Sequence, residues 1–411
     1  MDNKPSLNEA HQELQEVYSS SSARMQPNAD NSLSGKTIAK HLGLFLLTFA
    51  LVSLVGANFV GFHGSTFPFS MPETTDIYRG ALFAFLLLAF LGVHEFGHYF
   101  AAVYHKITVT LPYFIPIPIG IGTMGAVIRI KQKINDTRKL FDVGAAGPLS
   151  GFIVSITVLL IGFVTLPDAS YIQQFDGHSS VKQHVTQYGT YPDAAPAQSA
   201  EPILTVGNTL LYGFLSSFFE NVPPMWEMYH YPFLFAGWLG LFFTALNLMP
   251  LGQLDGGHIL YSLIGYKKHQ IVARIFFGLL VTMAGIEAIP FIYLSLSDYG
   301  YSSQLISWLI WAAILFILLR KAFHNNLTWL LPTMAISLAV AAGYLYLYLG
   351  NLTAMNSLIW LIWSFFTAYL VGIEHPPALY ERPLDTKRTI LGWLSMAIFV
   401  LCISPNPLYL M

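Results

Sequence analysis

Charge is what this 411-residue chain has least of: Asp, Glu, Lys and Arg make up 10% of it, against 54% hydrophobic residues. Ordinary soluble domains carry about 25% charged residues. That shortage excludes a water-soluble globule, a nucleic-acid binder and a disordered chain, and leaves a polytopic membrane protein. The single cysteine, Cys402, excludes an internal disulfide framework and any cysteine-clustered metal site. A metal here has only His, Asp and Glu to hold it. No fixed-period repeat and no clear inverted duplication is visible.

Residues 1–40 are polar and rich in Ser, Asn and Gln, and read as a disordered cytoplasmic tail. No short apolar region follows a basic start, so no cleavable signal peptide is expected, and Glu9, Glu13 and Glu16 argue against an organelle transit peptide. Beyond the tail, apolar runs long enough for a hydrocarbon core of about 30 Å recur. They fall near 41–62, 80–104, 142–166, 232–250, 271–294, 304–319, 328–349, 355–372 and 389–409. The predicted fold is therefore an all-α membrane protein of about nine transmembrane helices. With the N-terminus inside, all of the 20 lysines and arginines except Arg79 and Lys182 fall on the inner side, as the positive-inside rule requires.

The domain reading follows from these spans: the tail; the first span and outer loop, 41–79; a membrane core, 80–265, with spans two to four and the outer loop 167–231; and C-terminal helices, 266–411, of unassigned role.

The second span, FAFLLLAFLGVHEFGHYFAAVY, holds His94, Glu95 and His98. An ionised Glu at membrane depth costs several kcal/mol unless it is paired or lines a wet cavity. The spacing H-E-x-x-H explains the expense. Positions i and i+4 share a helix face, so both histidines grip one cation, and Glu95 beside it takes a proton from a water that the metal acidifies. Counted from Arg79, the two histidines lie deep in the span, near the inner face.

Catalytic zinc usually has three protein ligands and one open position. The fourth span supplies a candidate third in LNLMPLGQLDGGH, residues 246–258, where Pro250 and Gly252 break the helix and Asp255 follows at the inner end, as a ligand or as a helix cap or interfacial turn residue. His258 is a fallback ligand. Asn247 either hydrogen-bonds a substrate backbone or satisfies the carbonyl freed by Pro250.

These motifs resemble the site-2 protease family of intramembrane zinc metalloproteases, peptidase family M50. The matching residues are HEFGH at 94–98, GAAGPLSG at 144–151 and NLMPLGQLDGG at 247–257. The resemblance covers about residues 80–260. It implies one Zn²⁺ per chain on His94, His98 and Asp255, Glu95 as general base, and Asn247 as a substrate contact. Gly252 stands where many members have a second Pro. Together with LPYFIP and GTMGA at 111–126, that form is more similar to the bacterial and plastid branch of the gravitropism-deficient and yellow-green proteins. The outer loop is too short before its apolar segment to hold the PDZ domain of some relatives.

Three other segments carry expectations. Pro112, Pro116 and Pro118 forbid a long helix over 107–133 and point to a small re-entrant β-hairpin whose edge accepts an extended substrate segment. Gly144, Gly147 and Gly151 are small residues for close packing of the third span against the second. Residues 203–219 form an amphipathic helix along the outer interface. Glu287 is an intramembrane acid without an evident partner, and the Asn351–Thr353 sequon has no context that gives it meaning.

The function expected is hydrolysis of a transmembrane protein substrate near the cytoplasmic face, in a lipid bilayer of the bacterial inner-membrane kind, with no nucleic-acid partner. The alternatives are a cation transporter or channel, and an inactive helix-binding scaffold.

Overall fold

The computed structural model describes residues 34–195, 204–297, 304–347 and 357–410. Most of the expected tail and the 351–353 sequon lie outside them. The chain divides into two units, 1–40 and 41–411. In the first, the described residues 34–40 begin helix α1. The core and the site lie in the second.

Among the described residues, twelve α-helices follow in order: α1 (Gly35–Val60), α2 (Thr74–Tyr104), α3 (Thr137–Val164), α4 (Ser179–Tyr188), α5 (Leu210–Ser216), α6 (Pro232–Asn247), α7 (Asp255–Ile264), α8 (Tyr266–Ser297), α9 (Gln304–Ala322), α10 (Leu327–Leu347), α11 (Ile359–Phe366) and α12 (Thr386–Cys402). Among the described residues, α1, α2, α3, α8, α9 and α10 are long and apolar enough to cross a membrane. The other three expected spans are shorter helices. Span four ends at Asn247, before Pro250. Span eight is α11 and a π-helical turn, Thr367–Val371. Span nine stops at Cys402 because Pro405 and Pro407 cannot continue a helix.

Helices α2, α3 and α6 form the heart of the second unit. Ser150 Oγ on α3 donates to the Val93 carbonyl of α2 at 3.1 Å. Phe90 of α2 stacks on Phe243 of α6, and Leu159 of α3 is fully buried together with Leu234 and Trp238 of α6. Asp136 caps α3 by accepting from the Arg138 and Lys139 amides, and Pro232 opens α6, where its missing N–H costs nothing.

The expected hairpin is present. Strand β1 (Tyr113–Pro116) pairs antiparallel with β2 (Thr123–Val127), with Tyr113 opposite Val127 and Phe114 opposite Ala126. Residues 203–219 differ from expectation. Within 204–219 the chain makes strand β3 (Leu204–Val206), paired with β4 (Leu408–Leu410), and then the seven-residue helix α5. Gly207 and Asn208 interrupt the apolar run, and Thr209 caps the new helix through the Tyr212 amide at 3.0 Å. The long connection between α3 and α6 also builds a small core of its own from Ile172, Phe175, Val181, Val185 and Trp226.

Candidate metal centre

Helix α2 places His94 and His98 one turn apart on one face. Their Nε2 atoms lie 3.1 Å from each other. Asp255, the first residue of α7, brings its Oδ2 to 3.5 Å from His94 Nε2 and 3.2 Å from His98 Nε2. Ligand atoms around a tetrahedral ion with bonds of about 2.0–2.2 Å lie about 3.3–3.6 Å apart, so this cradle has the size of a zinc site.

The tautomer is set from behind. His98 Nδ1 donates to the Val143 carbonyl at 2.7 Å, which leaves its Nε2 as a lone pair aimed at His94 and Asp255. Two imidazoles and a carboxylate converging in a buried pocket fit a divalent transition metal.

The third span makes this possible by being small. A Cβ on Gly147 would lie 2.1 Å from His98 Nε2, and one on Gly151 would lie 3.2 Å from His94 Nδ1. The GAAGPLSG run therefore forms the wall against which both histidines are seated.

Glu95 is buried beside His94 and accepts from the backbone N–H of Ile128, just past β2. Thr110 N–H donates to the Arg129 carbonyl on the β1 side, and Lys131 N–H to the Thr108 carbonyl. Backbone groups of alternate residues face alternate edges, so Ala126 and Ile128 present theirs to the other edge, toward Glu95. Among the described residues that edge has no strand partner.

Asn247 ends α6, half-buried, and is not among the converging ligand atoms. His258 turns away from the ligand role: its Nδ1 is 2.8 Å from His375 Nε2. Glu287 does have partners, because its Oε2 accepts from the Trp360 amide at 3.3 Å and Ser357 also bonds the carboxylate.

Segment 372–388, to which the sequence assigned no role, straps the elements around the centre. The Gly252 amide donates to the Ile373 carbonyl at 2.9 Å. Tyr261 hydroxyl donates to Glu381 Oε1 at 2.7 Å and accepts from the Ala378 amide at 2.8 Å. Thr137 Oγ1 donates to the Arg382 carbonyl at 2.7 Å, and Arg388 grips Asp142 through Nε and Nη2, both at 2.7 Å. Asp142 also accepts from His105 Nε2 at 2.8 Å. The one sequence signal was the cluster Glu374, His375, Glu381, Arg382, Asp385 and Arg388 in an otherwise apolar half.

A metal cradle on an H-E-x-x-H helix, completed by a carboxylate from a second helix, defines the metallopeptidase class of site. Residues 82–284 match the model of peptidase family M50. Over 217 residues the chain is 30% identical to the probable zinc metalloprotease EGY2, chloroplastic, of Oryza sativa subsp. indica, covering 53% of this chain and 35% of that protein. It is 30% identical over 198 residues to the probable zinc metalloprotease EGY1, chloroplastic, of Arabidopsis thaliana, covering 48% and 31%. The probable zinc metallopeptidase EGY3, chloroplastic, of Arabidopsis thaliana is 24% identical over 240 residues, covering 56% and 37%. The chain thus spans about a third of the length of these curated relatives. No solved structure matches it.

Proposed function

We propose that this protein is a zinc-dependent intramembrane endopeptidase that cuts transmembrane segments of other membrane proteins near the inner face. The observation that carries the reading is the convergence of Asp255, at the start of α7, on His94 and His98 beside Glu95, the last three on a helix long and apolar enough to span a bilayer. The names of the relatives support zinc as the metal.

His94, His98 and Asp255 would hold a zinc ion, which would supply Lewis acidity toward a peptide carbonyl and a water. Glu95 takes the proton of the attacking water and delivers it to the leaving nitrogen. The Ile128 N–H holds the carboxylate in place. The unpaired edge of β2 receives the substrate as an added strand, which unwinds it and exposes a peptide bond. Asn247 binds the substrate backbone. The basic residues of the inner loops put the N-terminus on the cytoplasmic side of a bacterial membrane, or on the equivalent side in a plastid.

Purified protein and its Glu95→Gln variant, each incubated with a model transmembrane substrate and assayed for zinc, test this. Cleavage by the parent alone, with zinc retained in both, is expected. Cleavage by both removes Glu95 from the chemistry. Absence of zinc from both overturns the centre and returns the cation-transporter reading.

A further inference from the structure

A second cluster repeats the construction of the first. His178, in the outer loop before α4, and His230, just before α6, bring their Nε2 atoms to 3.1 Å. Glu227 places Oε1 3.5 Å from His178 Nε2 and Oε2 3.5 Å from His230 Nε2. The separations match those at His94, His98 and Asp255, and the ligand set is again two imidazoles and one carboxylate.

The tautomers are again set from behind. His178 Nδ1 donates to the Asp176 carbonyl at 2.8 Å, and His230 Nδ1 donates to the Phe59 carbonyl at 2.8 Å. A carbonyl only accepts, so both rings spend their proton there and turn lone pairs toward each other. Glu227 is 2% exposed, and its Oε2 is buried with no hydrogen-bond partner among the described residues. With Glu227 ionised, three acceptors converge with no donor among them. Like lone pairs at 3.1 Å repel unless a cation sits between them.

We propose that His178, Glu227 and His230 form a second, structural site for a divalent transition metal, with zinc the ion that best suits two imidazoles and a carboxylate. Glu227 and His230 are three residues apart on one short turn, and His178 arrives from the far side of the loop core. The ion ties that loop to the segment leading into α6. Arg79 strengthens the same junction: its guanidinium lies 3.9 Å over the Phe62 ring and donates to the His230 carbonyl at 3.0 Å. The His178 side chain is 22% exposed, which leaves room for a water as fourth ligand. The proposal is independent of the peptidase reading, since none of these residues belongs to the inner centre.

Zinc content of the full-length protein tests it, with cobalt(II) absorption as a second readout. The parent is expected to hold two zinc ions per chain, His94→Ala/His98→Ala one, and His178→Ala/His230→Ala one. In the His94→Ala/His98→Ala background, cobalt titration is expected to saturate at one equivalent and to give tetrahedral visible bands. Adding His178→Asn lowers that cobalt affinity at least tenfold. Asn is the mild variant, because His178 sits at φ +54°, where Asn is tolerated. Glu227→Gln keeps the shape and is expected to weaken cobalt binding at least tenfold. A parent with one zinc, all of it lost in folded His94→Ala/His98→Ala protein, overturns the proposal. So does cobalt binding in that background that Glu227→Gln leaves unchanged.

Discussion

Gly147 and His98 meet so closely that a β-carbon on the glycine would sit 2.1 Å from the imidazole Nε2. The ring has nowhere to retreat, because its other nitrogen is bonded to the Val143 carbonyl. Gly147→Ala is therefore expected to push His98 out of the cradle while leaving α3 helical. Metal analysis of the purified variant checks this: an affinity loss of about tenfold to a hundredfold, with unchanged circular dichroism, is expected. Unchanged zinc would show that the wall is not tight.

Ala126 lies on the β2 edge that faces Glu95, and β1 lies on the other. Ala126→Pro removes one N–H from the unpaired edge and none from the hairpin ladder. Cleavage of a helical substrate should be lost while zinc stays bound. Val127→Pro, which strikes the paired edge, should unfold the hairpin instead. Full activity in Ala126→Pro would remove strand addition from the mechanism.

Tyr261 joins α7 to the inner strap through two hydrogen bonds. Tyr261→Phe leaves the Ala378 amide and the Glu381 carboxylate without that partner, at a cost of about 1–3 kcal/mol. A lower Tm in detergent and a weaker zinc affinity at the Asp255 end are expected. A variant with Tm and zinc both unchanged would detach the strap from the site.

His63 lies in the loop between α1 and α2, where a hydrogen bond to Asp76 holds its pKa above the usual histidine value of 6.5. A raised folded-state value means that this contact stabilises fully below the unfolded pKa. The contribution fades as pH rises through the folded one. Histidine NMR in a membrane mimetic should show His63 titrating above 6.5, and Asp76→Asn should return it toward that value. A normal titration in the parent would remove the pair from any pH dependence.

The hairpin and the inner pair of histidines were legible because each is local. Proline density forbids helix over 107–133, and four-residue spacing puts His94 and His98 on one face whatever surrounds them. Asp255 needed one further step, the topology count that brought it to the same membrane side. The apolar run at 203–219 misled because composition cannot tell a short strand and a capped turn from one helix. There, Gly207 and the returning chain end at 408–410 decided.

Composition and spacing alone determined the membrane setting, the metal-binding helix and the paired motifs, because hydrophobic run length and helical period are properties of adjacent residues. Only the tertiary structure decided the rest. It seated His98 on Gly147, pointed Ile128 N–H at Glu95, strapped α7 with residues 372–388, and gathered His178 with Glu227 and His230. Each of these joins groups from separate elements, most of them dozens to more than a hundred residues apart, and local periodicity carries no record of which distant backbone will arrive.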